Sequence, residues 1–284
     1  MPRVLFRNVL DVDTASPVSV AVPAGVVALT GVAPSVVNSG SGGDLFTMDL
    51  SSGAVPNAGF DGTSGDEELG VSITRTHLPT GGPTGGGAYR FEWIYDAAQQ
   101  DAPNGWGGQF YYGWGVDLGT APGDGVSRFV RFKLRVVAGS NCRGTDWTDG
   151  SGPAMTSSKL VILGDGASGR MILELRCFPD TAAYELRPAR DGGGYGTNTA
   201  TIGDWVAIQM EGVTGASGLL RLWIDNNVQG SPDEEQTGLS MGAATWDQFA
   251  AGYYCVNGIA SDGTFAIDIG GIEVSTTFDA GWSV

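Results

Sequence analysis

Polar and apolar residues alternate with a period of two in several separate stretches of this chain, the spacing that sends successive side chains to opposite faces of a β-strand. The clearest stretch is Arg128-Phe129-Val130-Arg131-Phe132-Lys133-Leu134-Arg135-Val136. It puts Phe129, Arg131, Lys133 and Arg135 on one face and Arg128, Val130, Phe132, Leu134 and Val136 on the other. Tyr89–Tyr95 alternates in the same way, and Gln109–Leu118 predicts an aromatic-rich strand. Further strands are predicted over Lys159–Leu163, Met171–Phe178, Tyr184–Arg187, Trp205–Glu211, Leu219–Ile224, Phe249–Val256 and Phe265–Val274, each bounded by Gly, Asp, Asn or Pro. No stretch holds a helical period over three turns; Ala97–Asp101 and Ala244–Phe249 are each long enough for one turn. Many strands without intervening helices exclude a parallel α/β sheet and predict an antiparallel two-sheet sandwich.

The first 45 or so residues read differently. Val18-Ser19-Val20-Ala21-Val22-Pro23 alternates, then Val26–Leu29 and Val36-Val37 follow, separated by Pro and Gly. These predict short edge-type strands or an extended arm. Asn38-Ser39-Gly40-Ser41-Gly42-Gly43 has the composition of a flexible linker. The expected organisation is an N-terminal arm or small β element over residues 1–45 and a sandwich over residues 46–284.

Composition narrows the function classes. Asp and Glu number 31 against 15 Lys and Arg, a formal net charge of −16. Such a surface repels nucleic acid, whose binding depends on cationic groups displacing counterions, and it repels anionic lipid equally. Lysine occurs only at Lys133 and Lys159. The 47 Gly and 13 Pro fit a chain with many turns, and no Gly-X-Y period runs through them. Cys142, Cys177 and Cys255 are an odd number with no C-x-x-C pair, which favours reduced structural thiols over a disulfide framework. Met1–Asn8 opens without a sustained apolar stretch, and no segment is long enough to span a bilayer. The expected location is therefore a virion, which is released by lysis, or the extracellular space, with no signal peptide evident in the sequence.

Three segments carry a resemblance. They are Gly203-Asp204-Trp205-Val206-Ala207-Ile208-Gln209-Met210, Gly218-Leu219-Leu220-Arg221-Leu222-Trp223-Ile224-Asp225-Asn226-Asn227, and Phe265-Ala266-Ile267-Asp268-Ile269-Gly270-Gly271-Ile272-Glu273-Val274. Together they resemble the concanavalin A-like lectin/glucanase superfamily, polysaccharide lyases included. The resemblance implies an all-β, antiparallel jelly-roll sandwich. Asp225-Asn226-Asn227 would supply the positive φ of a tight hairpin.

The catalytic sets of that superfamily are incomplete here. Lyase-like members carry R-x-E-L-R, Q-I-H and Y-x-K-x-G-x-Y-x-Q strands. Leu173-Glu174-Leu175-Arg176 keeps only E-L-R, with Ile172 at the first arginine position, and Ile208-Gln209-Met210 lacks the histidine. Tyr254 matches the catalytic tyrosine, but Ala250 stands where the lysine belongs. β-Elimination needs a group to neutralise the uronate, a base and an acid, and this set falls short. The glucanase pattern E-x-D-x-x-E lacks its first glutamate; Asp268 and Glu273, five apart, would fall on opposite faces of a regular strand and are expected to be solvent-facing acids near a Gly bulge. His77, the one histidine, is expected in a loop without a catalytic task.

Two features could hold a ligand. Trp106, Phe110, Tyr111, Tyr112 and Trp114 form an aromatic cluster, part core and part exposed, suited to stacking on sugar rings. Arg131-x-Lys133-x-Arg135 is a basic stripe able to hold a uronate or sulfate, or to pair with acids of the Glu174 or Glu185 type on a neighbouring strand. The candidate glycan-binding residues are Trp106, Tyr111, Trp114, Arg131, Lys133, Arg135 and Tyr254, with no catalytic or metal-binding residue assigned. Calcium is the one ion the resemblance implies, without a D-x-[DN]-x-[DN]-G loop to hold it; the acidic stretches Asp61–Glu68 and Asp225–Glu235 read as solvated turns. The expected function is a non-enzymatic binding or surface-structural module, such as a bacteriophage decoration, spike or tail protein. Its partners would be other virion proteins, copies of itself, or polysaccharide. The alternative is a polysaccharide lyase or other glycan-active enzyme with a divergent site.

Overall fold

A computed structural model describes residues 44–47, 71–95, 116–118, 122–140, 156–164, 170–177, 183–190, 198–242, 246, 248–251 and 263–284. Their strands in chain order are β1 (Asp44–Thr47), β2 (Val71–Leu78), β3 (Ala88–Tyr95), β4 (Val116–Asp117), β5 (Ser127–Val136), β6 (Thr156–Leu163) and β7 (Met171–Cys177). There follow β8 (Ala183–Arg190), β9 (Asn198–Thr201), β10 (Val206–Val213), β11 (Gly215–Ile224), β12 (Glu234–Met241), β13 (Gln248–Ala251) and β14 (Gly263–Ser275). One 3-10 turn, Pro83–Gly85, joins β2 to β3.

These strands form an antiparallel two-sheet jelly-roll sandwich. One sheet has eight strands in the order β12-β11-β10-β5-β14-β3-β2, with β1 also on β14; the other has six, in the order β4-β13-β6-β7-β8-β9. β14 is the spine of the larger sheet. Its first half pairs with β3, its second half with β1, and its opposite edge with β5. β1 includes Asp44 and Leu45, so the sheet begins before Phe46; the rest of the expected N-terminal arm lies outside the described residues.

The alternation in β5 does what its pattern predicts. Val130, Phe132, Leu134 and Val136 enter the core between the sheets, against Leu173, Leu175, Tyr184 and Leu186 of the six-stranded sheet. Each fully buried side chain of this size contributes roughly 1.5–3 kcal/mol. Gly212 of β10 lies under the buried Trp246: a Cβ there would come within 2.4 Å of the indole Cη2 and 2.7 Å of Met171 Sδ. The core is closed at that point because residue 212 has no side chain.

Two local expectations are corrected. The connection after β11 is not a tight turn. Asp225 does take a positive φ of 51°, but the chain then runs on to Asp233 before pairing resumes. Asp233 accepts from Ile224 N–H at 2.7 Å, and Asn226 donates to Ser231 O at 2.7 Å, closing a longer loop. His77 is in β2 rather than a loop, half-buried and 5.1 Å from the Tyr89 ring.

Candidate functional site

The outward face of β5 organises the surface of the eight-stranded sheet. Phe129, Arg131, Lys133 and Arg135 point away from the core, and the two ends of this row meet different fates. At one end, residues 276–284 fold back across the sheet. Arg131, 4% exposed, donates from Nη1 to Glu273 Oε2 at 2.9 Å and from Nη2 to Ser275 Oγ and to Thr277 O at 2.8 Å; Asp279 Oδ2 is 3.5 Å from Nη1. Gln209 Nε2 donates to Asp279 O at 2.8 Å, and Asp279 N–H donates back to Gln209 Oε1 at 3.2 Å. Trp282 then covers Lys133, whose Nζ is 5.0 Å from the ring centre. Phe278 meets Trp223 and Phe129 edge-on, at 5.1 and 6.2 Å.

The other end is partly exposed. Asp268 on β14 lies directly between Arg135 on β5 and Arg90 on β3 in the strand register. Its carboxylate is fully buried, while the two arginine side chains are 31% (Arg90) and 25% (Arg135) exposed. Arg90 donates from Nε to Oδ1 at 2.7 Å and from Nη2 to Oδ2 at 3.0 Å. Arg135 donates from Nε and Nη2 to Oδ2, at 2.9 and 2.5 Å, and reaches Gly81 O at 3.5 Å. These bonds hold the Arg90 guanidinium above its ordinary pKa, with the Asp268 hydrogen bond as the main cause. The guanidinium of Arg135 lies 4.8 Å from the centre of the Trp205 ring, a cation–π contact. Exposed Thr76 on β2 pairs with Arg90 and extends the row to the sheet edge. Five adjacent positions thus read hydroxyl, guanidinium, carboxylate, guanidinium, indole.

A β-bulge shapes this row. The register of β14 against β5 runs Asp268↔Arg135, Ile269↔Leu134, then Gly271↔Lys133, leaving Gly270 as the extra residue. The shift puts Asp268 and Glu273 on the same face, which corrects the expectation of opposite faces. Asp268 is also not solvent-facing: it is buried between two cations. Gly270 has no room for a side chain, since a Cβ would lie 2.5 Å from Pro83 Cδ and 3.2 Å from Trp205 Cζ3. The partners of the basic stripe are likewise Asp268 and Glu273 on β14; Glu174 and Glu185 belong to the six-stranded sheet.

The fragments of the lyase pattern separate. Glu174 is on β7 and Ala250 on β13, both in the six-stranded sheet, whereas Ile208–Met210 is on β10 in the eight-stranded sheet. Ile208 and Met210 are in the core. Glu174 is 5% exposed, and Ile172 and Ala189 beside it are fully buried, so this part of the outer face does not open to solvent. Where β8 and β9 approach β12, burial pushes the Glu234 carboxyl up; Asn198 and Gln236 each donate to it at 2.8 Å.

The described residues do not fit calcium. No group of three or more His, Cys, Asp or Glu among them is placed to hold a metal. In the acidic loop after β11, Asp225 Oδ1 accepts from Ala207 N–H, Asp233 Oδ2 from Ile224 N–H and Asn226 Oδ1 from Val228 N–H.

Of the residues singled out from sequence, Arg131, Lys133 and Arg135 fall on one face of one strand. Trp106, Tyr111, Trp114 and Tyr254, with Cys142 and Cys255, lie outside the described residues. Sequence reasoning missed Arg90, Trp205 and Thr76 as parts of the site. The signal for Arg90 was the polar phase of its own strand, but only the strand order makes β3 and β5 flank β14.

The strand arrangement is similar to that of the marine PL-14 alginate lyase from Aplysia kurodai, at 10% identity and a TM-score of 0.46 over 82% of this chain and 99% of that one. It is similar to the marine PL7 alginate lyase AlyA1 from Zobellia galactanivorans, at 14% identity and a TM-score of 0.44, over 69% and 79%. It is also similar to botulinum neurotoxin type C, in a structure described by its interaction with two ganglioside molecules, at 10% identity and a TM-score of 0.39, over 82% and 48%. The likeness is one of fold. No protein-family model and no curated protein matches the sequence.

Proposed function

We propose that this protein is a non-enzymatic glycan-binding module whose ligand lies across the partly exposed end of the eight-stranded sheet. The observation that carries the reading is the row Thr76, Arg90, Asp268, Arg135 and Trp205. Planar hydrogen-bonding groups are fixed there beside an aromatic ring, the combination that matches a sugar's hydroxyl edge and apolar face together. Its geometry is set in advance, because Asp268 clamps both guanidiniums and the indole stacks on one of them.

Binding without cleavage is supported by the state of the acids. Asp268 and Glu273 are engaged by arginines, and Glu174 is buried on the other sheet, so none of these three acids is free to act on a ligand. We further propose display on a bacteriophage particle, as a decoration, spike or tail component. A partly exposed sheet face gives each copy few contacts, and repeated copies raise the avidity of such a site.

A panel of immobilised neutral and acidic polysaccharides tests the reading. Retention without new reducing ends or unsaturated products is the expected result. Failure to bind any glycan overturns it, and unsaturated uronate products would replace it with a lyase. Display is tested separately: antibodies to the chain should label intact particles, and labelling of none overturns that part.

A further inference from the structure

We infer that the row selects acidic sugars, with a uronate carboxylate or a sulfate ester held by the outer Nη1 edge of Arg90. This rests on the reading of the row as a glycan face and adds the ligand class. The argument is a count of donors and acceptors. Asp268 Oδ1 accepts from Arg90 Nε, and Oδ2 accepts from Arg90 Nη2, Arg135 Nε and Arg135 Nη2, so the buried carboxylate offers an arriving ligand nothing. Each guanidinium has five N–H groups. Nη1 of Arg90 and Nη1 of Arg135 have no hydrogen-bond partner among the described residues, and both side chains are partly exposed. The centre of the row therefore presents donors without acceptors. Glu92, half-buried two residues along β3, acts on Arg90 through its charge, but the salt bridge of Arg90 is to Asp268.

An oxyanion satisfies such donors better than a neutral hydroxyl, because each hydrogen bond becomes charge-assisted at both ends. Both arginines grip Asp268 side-on through Nε and Nη2, so the Nη1 group of each lies on the far side of its guanidinium and is the edge left for a ligand. Trp205, stacked on Arg135, is placed at the end of the row to receive the adjoining sugar ring. The site is on the opposite sheet from Glu174 and Ala250, and the lyase-pattern segment on its own sheet, Ile208–Met210, has Gln209 engaged by Asp279.

The test is affinity electrophoresis of the full chain through gels containing a polyuronate, a sulfated polysaccharide or a neutral glucan, with two variants. Arg90→Met leaves the Arg135–Asp268 pair in place, and Arg90→Lys keeps the positive charge beside Asp268 without the planar fork. Retardation by one or both acidic polymers, weakened by salt and reduced about tenfold or more in both variants, is the expected result. Thermal unfolding checks that the variants are folded. Equal retardation by the neutral glucan overturns the acidic preference while leaving glycan binding intact. Acidic retardation that both folded variants retain overturns the placement at Arg90. No retardation by any polymer overturns the glycan reading itself.

Discussion

Gln209 and Asp279 grip each other through two hydrogen bonds running in opposite directions, the side-chain amide of one matching the backbone N–H and C=O of the other. Gln209 is 1% exposed, in the middle of β10, so the C-terminal segment is fastened to the centre of the sheet rather than to its rim. An amide suits this role because it carries one donor group and one acceptor on the same planar head.

Replacing Gln209 by Leu removes both bonds and leaves the backbone N–H and C=O of half-buried Asp279 without these partners. We expect a loss of about 1–3 kcal/mol, measured by urea unfolding at neutral pH. Gln209→Glu keeps the acceptor and forfeits the donor, so it should also be destabilising. An unchanged midpoint in both would show that the segment is held by Arg131, Phe278 and Trp282 without help from this pair.

Asp268 neutralises two arginines at once. Asp268→Ala should cost about 2–4 kcal/mol, since it strands both guanidiniums on a sheet face with no replacement anion. Asp268→Asn keeps the shape and loses the charge, and should fall between wild type and alanine. Chemical denaturation of the three proteins in low salt checks the order.

Gly212→Ala tests the closeness of Trp246. The added methyl meets the indole at 2.4 Å and the Met171 sulfur at 2.7 Å, so it forces one of two core side chains off its position. The expected cost is about 1–3 kcal/mol, with altered near-ultraviolet circular dichroism from the displaced tryptophan.

Glu234 makes stability depend on pH in the direction opposite to a salt-bridged acid. Burial raises its folded-state pKa above the ordinary glutamate value, so the folded protein holds this proton more tightly than the unfolded chain. Stability from this group is greatest below the ordinary value and declines as pH rises through the raised folded one. In Glu234→Gln that decline should disappear from the difference between pH profiles of unfolding. A profile of unchanged slope would count against the burial of this carboxyl.

Much of the sandwich was legible because its central strands obey the period of two so closely. β5 shows each of its core residues in the sequence, and β3, β7, β10 and β11 follow the same rule. The strands the pattern missed are mostly at edges. β12 reads Glu-Glu-Gln-Thr-Gly-Leu-Ser-Met and β9 reads Asn-Thr-Ala-Thr, with too few apolar residues to show a phase. Their pairing is decided by backbone hydrogen bonds to a neighbour, which leave little trace in side-chain chemistry.

The site was legible only as a stripe. Arg131, Lys133 and Arg135 are visibly in step, yet Arg131 is buried under the tail and Arg135 stays partly exposed, a difference made by residues far away in sequence. Asp268 was misread because parity along β14 assumes an unbroken pleat. Two adjacent glycines were the available hint, although nothing in them states which way the strand resumes.

Gly270 is dispensable to the sandwich in a specific sense. With it removed, Gly271 would follow Ile269 directly, still opposite Lys133, and Ile272 and Val274 would still turn inward. The deletion is phase-neutral for the core. What it would take away is the slack beneath Pro83 and Trp205, so a shortened chain should fold with its interior unchanged and lose only the relief of the surface above. The core and the surface row can thus be separated at one residue.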